Sequence, residues 1–207
     1  MINRLEFYRS YRRRFHKKLT QTQVEGYEAI FDYWDLYKLR NIKSLAYVLA
    51  TAYHETGGRM EPVREGFCKT DEGSIRAVAR LYKRGKISTN YALPGQDGNS
   101  YFGRGLVQIT WEDNYRRLGR AIGLGDNLCA NPSLALDLNI AVRILFTGMI
   151  DGLFTDHKLV DYITDHKCDY YNARRIVNGL DKAELICSYA SKFEKCLFVG
   201  DPNDKDI

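Results

Sequence analysis

Along most of this chain, apolar residues recur at the three-and-four spacing of one helix face, with turn residues between the runs. Over residues 3–18, Leu5, Tyr8, Tyr11 and Phe15 keep that spacing with basic residues between them, which predicts an amphipathic helix. Thr22 followed by Glu25 has the spacing of a capping box, and the helix it opens would carry Val24, Tyr27, Ile30, Phe31, Trp34 and Tyr37 on one face. Asn41 stands where it would cap a third helix, in which Ile42, Leu45, Ala46, Leu49, Ala50 and Tyr53 form an apolar stripe. The stripe stops at Gly57-Gly58. At about 100° per residue, Glu55 falls about 160° from the stripe's mean direction, so the core face of its own helix does not take it.

Glycine and proline punctuate residues 56–73, which predicts irregular chain, and Ser74 to Lys83 reads as a short helix through Ile75, Val78, Ala79 and Tyr82. Residues 85–105 hold Pro94, Gly95, Gly98, Gly103 and Gly105 and predict a long loop, of a length that usually serves function. Leu106 to Ile109 alternates weakly as a short strand. Thr110, with Asp113 three residues on, predicts the cap of a helix through Trp111, Tyr115, Leu118 and Ile122. A turn at Asn131-Pro132 leads to a long helix from Leu136 to Ile150, stopped by Gly152. Thr155 would cap a short helix reaching Tyr162, and Asp169 to Val177 would form another, ended by Asn178-Gly179. Asp181 with Glu184 would cap the last helix, through Ile186, Tyr189, Ala190, Phe193 and Leu197, before a polar tail expected to fray. The whole predicts a mainly α (α+β) protein, one domain over residues 1–207. Two helical groups would flank a loop-rich middle, with a cleft between lobes.

Composition narrows the class. With 207 residues, 44% hydrophobic and 28% charged, the chain is an ordinary globular one that can bury a real core. No apolar run reaches about 18 residues, the length of a membrane span. The N-terminus, MINRLEFYRSYRRRFHKK, lacks the apolar core of a signal peptide, so synthesis in the cytoplasm without a general-secretion signal is expected. Five cysteines, an odd number without a C-x-x-C pair, and four scattered histidines give no zinc spacing and predict free thiols. The net charge is +5, and residues 1–18 carry seven arginines and lysines against Glu6 alone. Such an end attracts an anionic surface (nucleic acid, lipid or cell wall) or is simply a solvated helix face.

The chemistry concentrates around Glu55. His54-Glu55 is not H-E-x-x-H, because position 58 is glycine, so that motif's zinc protease chemistry is excluded. A carboxylate near a helix C-terminus meets the negative end of the macrodipole, which favours its protonated form and suits a general acid. Beyond the Gly57-Gly58 break, Glu61, Glu65, Asp71 and Glu72 are all open as a second carboxylate. Two carboxylates facing each other are the minimum for hydrolysing a glycosidic bond. Gln108, Thr110 and Asn114 form a second polar group, while Asn178 before Gly179 is most simply a helix end.

Five segments also occur in a telling order: HETGG at 54–58, YFGRGLVQIT at 101–110, Asn114-Tyr115, NPSLA at 131–135 and ARRIVNG at 173–179. In combination they resemble the family 19 glycoside hydrolases, which include chitinases and phage endolysins of the lysozyme-like superfamily. The flanks, among them GMIDGLFT and VNGLDKAELI, resemble phage and prophage lysozyme-like proteins more than plant chitinases. The resemblance implies a two-lobed, lysozyme-like helical domain with a small β element beside the active-site cleft. It implies Glu55 as general acid, Glu65 as the base of the endolysin branch, and Thr110 as the hydroxyl that holds the attacking water. Tyr101, Gln108, Asn114 and Asn178 would bind sugar. It implies single displacement with inversion, and neither metal nor organic cofactor. The chitinases carry their second carboxylate farther along the chain, so Glu65 rests on the endolysin branch.

The expected function is therefore that of an endolysin of lysozyme type, cutting β-1,4 bonds in peptidoglycan glycan strands after release from the cell or from a virion. A chitinase, or a virion protein that kept the fold and lost turnover, is the alternative. The expected partners are the glycan strands, with envelope contact through the basic N-terminal helix, no specific nucleic acid and a monomeric state.

Overall fold

The computed structural model describes residues 2–95 and 97–198, so the expected fraying of the tail lies outside the described residues. The first three helices follow the apolar pattern closely: α1 (Arg4–Phe15), α2 (Gln21–Leu36) and α3 (Ile42–Glu55). In α1 the buried apolar positions are Phe7, Tyr11 and Phe15, spaced by four, whereas Leu5 is out of that register and exposed. The cap of α2 is Thr20 rather than Thr22. Its hydroxyl accepts from the Gln23 amide at 3.2 Å, and the Gln23 side chain accepts from the Thr20 amide at 2.9 Å. Glutamine closes a capping box as well as glutamate does, so the same signature was present two residues earlier. Tyr37, expected on the apolar face of α2, lies past its end and is exposed.

Asn41 caps α3 as expected, accepting from the Ser44 amide at 2.9 Å. Residues 44–53 of α3 are buried on every side, so it is the central helix rather than one with a single inward stripe. It packs most extensively on α9 (Ala183–Leu197), which also receives α1. Phe193 of α9 meets Phe7, Tyr11, Phe15, Tyr27 and Tyr53, with the Phe15 ring 4.8 Å away between centroids. Fully burying side chains of this kind contributes about 1.5–3 kcal/mol each. Lys182, in a left-handed conformation, precedes α9 without a side-chain cap, so Asp181 is not the cap.

The middle of the chain departs more from its pattern. The β element pairs β1 (Val63–Arg64) antiparallel with β2 (Arg104–Gly105), Val63 opposite Gly105 and Arg64 opposite Arg104. Leu106 to Ile109 is not a strand. Gln108 takes φ +53°, and the chain doubles back so that Ile109 bridges to Arg104. The helix α4 (Asp71–Lys83) starts three residues before Ser74, because the Thr70 hydroxyl accepts from the Gly73 amide. Thr110 does not cap α5 (Glu112–Ala121). Trp111, at φ +72°, is the residue before it and supplies no side-chain cap.

After α6 (Asn127–Ala130) a 3-10 turn at Pro132–Leu136 leads into α7 (Leu138–Asp151), capped by Asp137 and ended by Gly152 at φ +76°. The Thr155 hydroxyl donates to carbonyls at Arg175 and Ile176 instead of capping α8 (Leu159–Tyr162). The segment expected as a helix over 169–177 is a 3-10 turn, Asn172–Ile176.

Two apolar clusters underlie these elements. The large one joins α1, α2, α3, α5, α7 and α9. The small one is Val78, Ala92 and Phe102, flanked by Ile75, Ile87 and Tyr91, and lies under α4 and the long loop. The protein is thus mainly helical, with one two-stranded sheet among the described residues. Among the described residues no helix is long and apolar enough to cross a membrane. No disulfide joins any two of the five cysteines.

Candidate active site

The last turn of α3 is locked from inside. The Thr56 hydroxyl, fully buried, donates to the Ala52 carbonyl at 2.7 Å and accepts from the Met60 amide at 3.0 Å. Gly57 and Gly58, both at positive φ, then reverse the chain toward β1. Glu55 sits just before this reversal. Its Oε1 accepts from Arg174 Nη1 at 2.7 Å, and its side chain keeps only 16% of its exposure against 4% for Arg174. Arg174 is itself anchored by Nε on the Asp181 carbonyl at 3.1 Å. The lining that Glu55 needed on the side away from the α3 core is therefore the 3-10 turn Asn172–Ile176. No sequence signal named Arg174 beyond its place in ARRIVNG. A buried arginine across 119 positions is visible only once the chain is folded. Burial holds the neighbouring His54 below its ordinary value, with Glu55 pulling the other way.

Glu65 sits across the sheet, beside the small cluster. Its Oε2 accepts from the Gly103 amide at 2.8 Å and its Oε1 from the Tyr91 hydroxyl at 2.7 Å. Its backbone is pinned as well, the amide donating to the Gly103 carbonyl at 2.7 Å and the carbonyl accepting from Ser74 Oγ at 2.9 Å. Burial and the Glu65 carboxylate together push the Tyr91 phenol well above its usual range, so it stays a donor. Gly103 has a steric requirement. A Cβ there would lie 2.9 Å from both Glu65 Oε2 and Gln108 Oε1, closer than such atoms approach.

The other carboxylates are placed differently. Asp71 is held by Arg64 Nε at 2.6 Å and Arg104 Nη2 at 2.8 Å. Burial works against its ionisation, but these two arginines prevail and keep it below the ordinary aspartate range. Asp71 fastens α4 to both strands and has no free carboxylate edge for substrate. Glu72 lies exposed in the first turn of α4, and Glu61 is half-buried without a hydrogen-bonding partner among the described residues.

Of the expected sugar-binding residues, Gln108 and Asn114 lie beside Glu65 or the start of α5, but with their amide donors engaged. Gln108 Nε2 donates to the Val63 carbonyl at 2.9 Å and the Gly105 carbonyl at 3.3 Å, closing the sheet and leaving Oε1 toward Glu65. Asn114 Nδ2 donates to the Thr110 carbonyl at 2.8 Å. The Thr110 hydroxyl itself has no partner among the described residues. Tyr101 is buried, its ring against Tyr115 and its hydroxyl donating to Asp97 and the Cys129 carbonyl. Asn178 is exposed on the segment that carries Arg174, its Oδ1 accepting from the Gly179 amide.

Two aromatics near the site are exposed. Trp111, expected on the apolar face of α5, is about half exposed and lies 5.4 Å from the Tyr91 ring. Phe67 is also about half exposed. Met60, Phe67, Gln108 and Trp111 all take positive φ, a conformation costly for non-glycine residues that clusters where function over-determines the chain. Among the described residues no group of three His, Cys, Asp or Glu is gathered that could hold a metal ion.

Comparison with known proteins gives this geometry a setting. The family model described as chitinase class I, glycoside hydrolase family 19, matches residues 36–149. That segment holds Glu55, Glu65, Tyr101, Gln108, Thr110 and Asn114 and stops short of Arg174 and Asn178. Endochitinase 1 of Theobroma cacao is 34% identical over 111 residues, covering 50% of this chain and 32% of that protein. Chitinase 1 of Oryza sativa subsp. japonica is 30% identical over 115 residues, with the same coverage, 50% and 32%. The chain thus spans about a third of the length of these relatives. Among solved structures, chitinase C from Streptomyces griseus HUT6037 superposes with a TM-score of 0.57 at 20% identity, over 92% of this chain and 75% of that one. At that identity the likeness is one of fold.

Proposed function

We propose, starting from the fact that the chain belongs to glycoside hydrolase family 19, that it hydrolyses β-1,4 bonds between N-acetylated amino sugars by acid/base catalysis, with bacterial peptidoglycan as its polymer. The observation that carries this reading is the unlike support of two carboxylates on either side of the Gly57-Gly58 reversal. A buried arginine holds Glu55, whereas two neutral donors hold Glu65.

The division of labour follows from those supports. Arg174 occupies Glu55 Oε1, so the proton to be delivered is carried on Oε2, which has no partner among the described residues. As the bond to the leaving sugar oxygen breaks, that proton moves to the oxygen, and Arg174 stabilises the carboxylate left behind. Glu65 is oriented without an ion pair, so no cation competes with a water for its charge. It draws a proton from that water as the water attacks the anomeric carbon from the opposite face. The Thr110 hydroxyl, unengaged among the described residues, is the second contact for the water. The product then has inverted configuration.

Peptidoglycan is favoured by the phage-like flanks and by the exposed basic residues of α1 and the segment just after it. Arg4 is tied to Glu28, Asp32 and Asp35 of α2, and Arg9 to Glu6, but Arg12, Arg13 and Lys18 remain exposed toward an anionic envelope. Chitin is the second reading, favoured by the relatives, which are named as chitinases. Analysis of new reducing ends distinguishes the two. Peptidoglycan digestion with new ends on N-acetylmuramic acid or N-acetylglucosamine supports the first. Turnover confined to chitin oligomers supports the second. Cleavage of peptide bonds alone contradicts both.

A further inference from the structure

The Gly57-Gly58 reversal carries a cation that the acid/base mechanism does not use. Arg59 is exposed, and among the described residues no carboxylate pairs with it. It is nevertheless not free to wander. Its guanidinium lies over the Phe67 ring, 4.2 Å from the centroid. The same ring is brought up against Gly57, where an added Cβ would be 3.2 Å from Phe67 Cζ and 3.7 Å from Arg59 Nη1. Phe67 stays about half exposed and holds φ +56°, an unfavourable conformation for a phenylalanine. The backbone therefore bears strain to present an aromatic platform with an arginine resting on it. Stacking of this kind restricts the guanidinium's rotamers in advance of any ligand.

The position matters as much as the charge. Arg59 is four residues beyond Glu55, and Phe67 is two residues beyond Glu65. The stacked pair thus bridges the two segments that carry the carboxylates. Three other arginines of this region are already committed: Arg64 and Arg104 to Asp71, and Arg174 to Glu55. Arg59 alone among these four offers an unsatisfied planar donor fork beside the site. A planar fork suits a carboxylate held bidentately.

We infer that Arg59 is a substrate-selecting residue that reads a carboxylate on the glycan beside the scissile bond. This inference rests on the amino-sugar hydrolase reading above and narrows its substrate class to anionic strands. A polymer of N-acetylglucosamine alone is neutral and gives Arg59 nothing to bind. Peptidoglycan supplies carboxylates from two sources, the lactyl group of a stem-free muramic acid and the peptide stem.

The test is equilibrium binding, measured in the Glu55→Gln background so that strands stay intact. Four probes are needed: stem-free glycan strands, stem-bearing strands, and each of these after carbodiimide amidation has neutralised its carboxylates. The parent should bind at least one anionic strand about fivefold more tightly than its neutralised counterpart, the scale of one surface charge contact of about 1 kcal/mol. Arg59→Gln should remove that preference while leaving binding of neutral strands unchanged, and Arg59→Lys should keep part of it. Loss of preference for stem-free strands assigns the lactyl carboxylate, and loss for stem-bearing strands assigns the stem. A parent with no preference, or a preference untouched by Arg59→Gln, overturns the inference. Binding reports on Arg59 even where the wild-type protein leaves every strand uncut, an outcome that would refute the hydrolase reading separately.

Discussion

Replacing Gly103 with alanine puts a methyl group where two side-chain oxygens already sit. The new Cβ would be 2.9 Å from Glu65 Oε2, 2.9 Å from Gln108 Oε1 and 3.4 Å from Gln108 Cβ. Both 2.9 Å contacts are with the ends of side chains, so the fold can yield by moving them. What it yields is the geometry proposed for catalysis: the Glu65 carboxylate must leave the Gly103 amide that now holds it at 2.8 Å. Hydrogen bonds to a charged group are worth about 1.5–3 kcal/mol. A misplacement of about 1 Å at a reacting group can cost about a hundredfold in rate. Gly103→Ala should therefore lower kcat by about two orders of magnitude, measured as reducing ends released per enzyme. Its cost in stability should be about 1 kcal/mol, a Tm shift of about 2–4 °C by calorimetry for a chain of this size. Retention of more than half the wild-type kcat would refute the argument that Gly103 sets the position of Glu65. So would a loss of activity that merely tracks a collapsed Tm.

Other supports give separable outcomes. Tyr91→Phe deletes one donor to Glu65 and should lower kcat about tenfold with little change in Tm; an unchanged kcat would show that the Gly103 amide alone suffices. Arg174→Leu leaves Glu55 without its buried partner and should cost about 3–5 kcal/mol in urea unfolding. Combining it with Glu55→Gln should recover part of that loss, and strict additivity of the two would mean the pair is not coupled. Asp71 has a folded pKa below its unfolded one, so its contribution to stability is present above the unfolded value and is lost as pH falls through the folded one. Asp71→Asn should accordingly flatten the fall of Tm with pH below about pH 4, where aspartate titrates, and an unaltered slope would contradict this. Gly26→Ala would set a Cβ 1.8 Å from the Met60 carbonyl oxygen, and backbone cannot swing aside as a side chain can. It should destabilise by more than the roughly 1–3 kcal/mol usual for overpacking, read as a drop in the urea midpoint.

The parts of the fold that were legible in the sequence are those governed by local periodicity. The stripe from Ile42 to Tyr53, the Asn41 cap and the stop at Gly152 each depend on neighbours within a few positions. Caps failed where a competing residue was equally suited, as with Thr20 against Thr22, or where the helix began from strained chain, as at Trp111. Leu106 to Ile109 misled because weak alternation cannot distinguish a strand from a tight turn when one residue adopts positive φ. At the candidate site, the angular position of Glu55 did indicate that something outside its helix must line it. That the lining is Arg174 depends on a contact across 119 positions, which no spacing rule encodes. Spacing left four carboxylates open as partners for Glu55. Asp71 is set apart only by its two arginines, and Glu65 only by Gly103 and Tyr91. The burial of Tyr101 was not legible, because a tyrosine in a motif looks the same whether its ring faces a ligand or the core.

The claim at the centre of this account is that Glu55 and Glu65 act together in a single displacement. Proton NMR of the first reducing ends formed, recorded before mutarotation, tests it most directly. The account predicts that the α-anomer appears first from the β-linked strand, and that neither Glu55→Gln nor Glu65→Gln produces it at more than a trace of the wild-type rate. The β-anomer appearing first, or full activity in either variant, would contradict it.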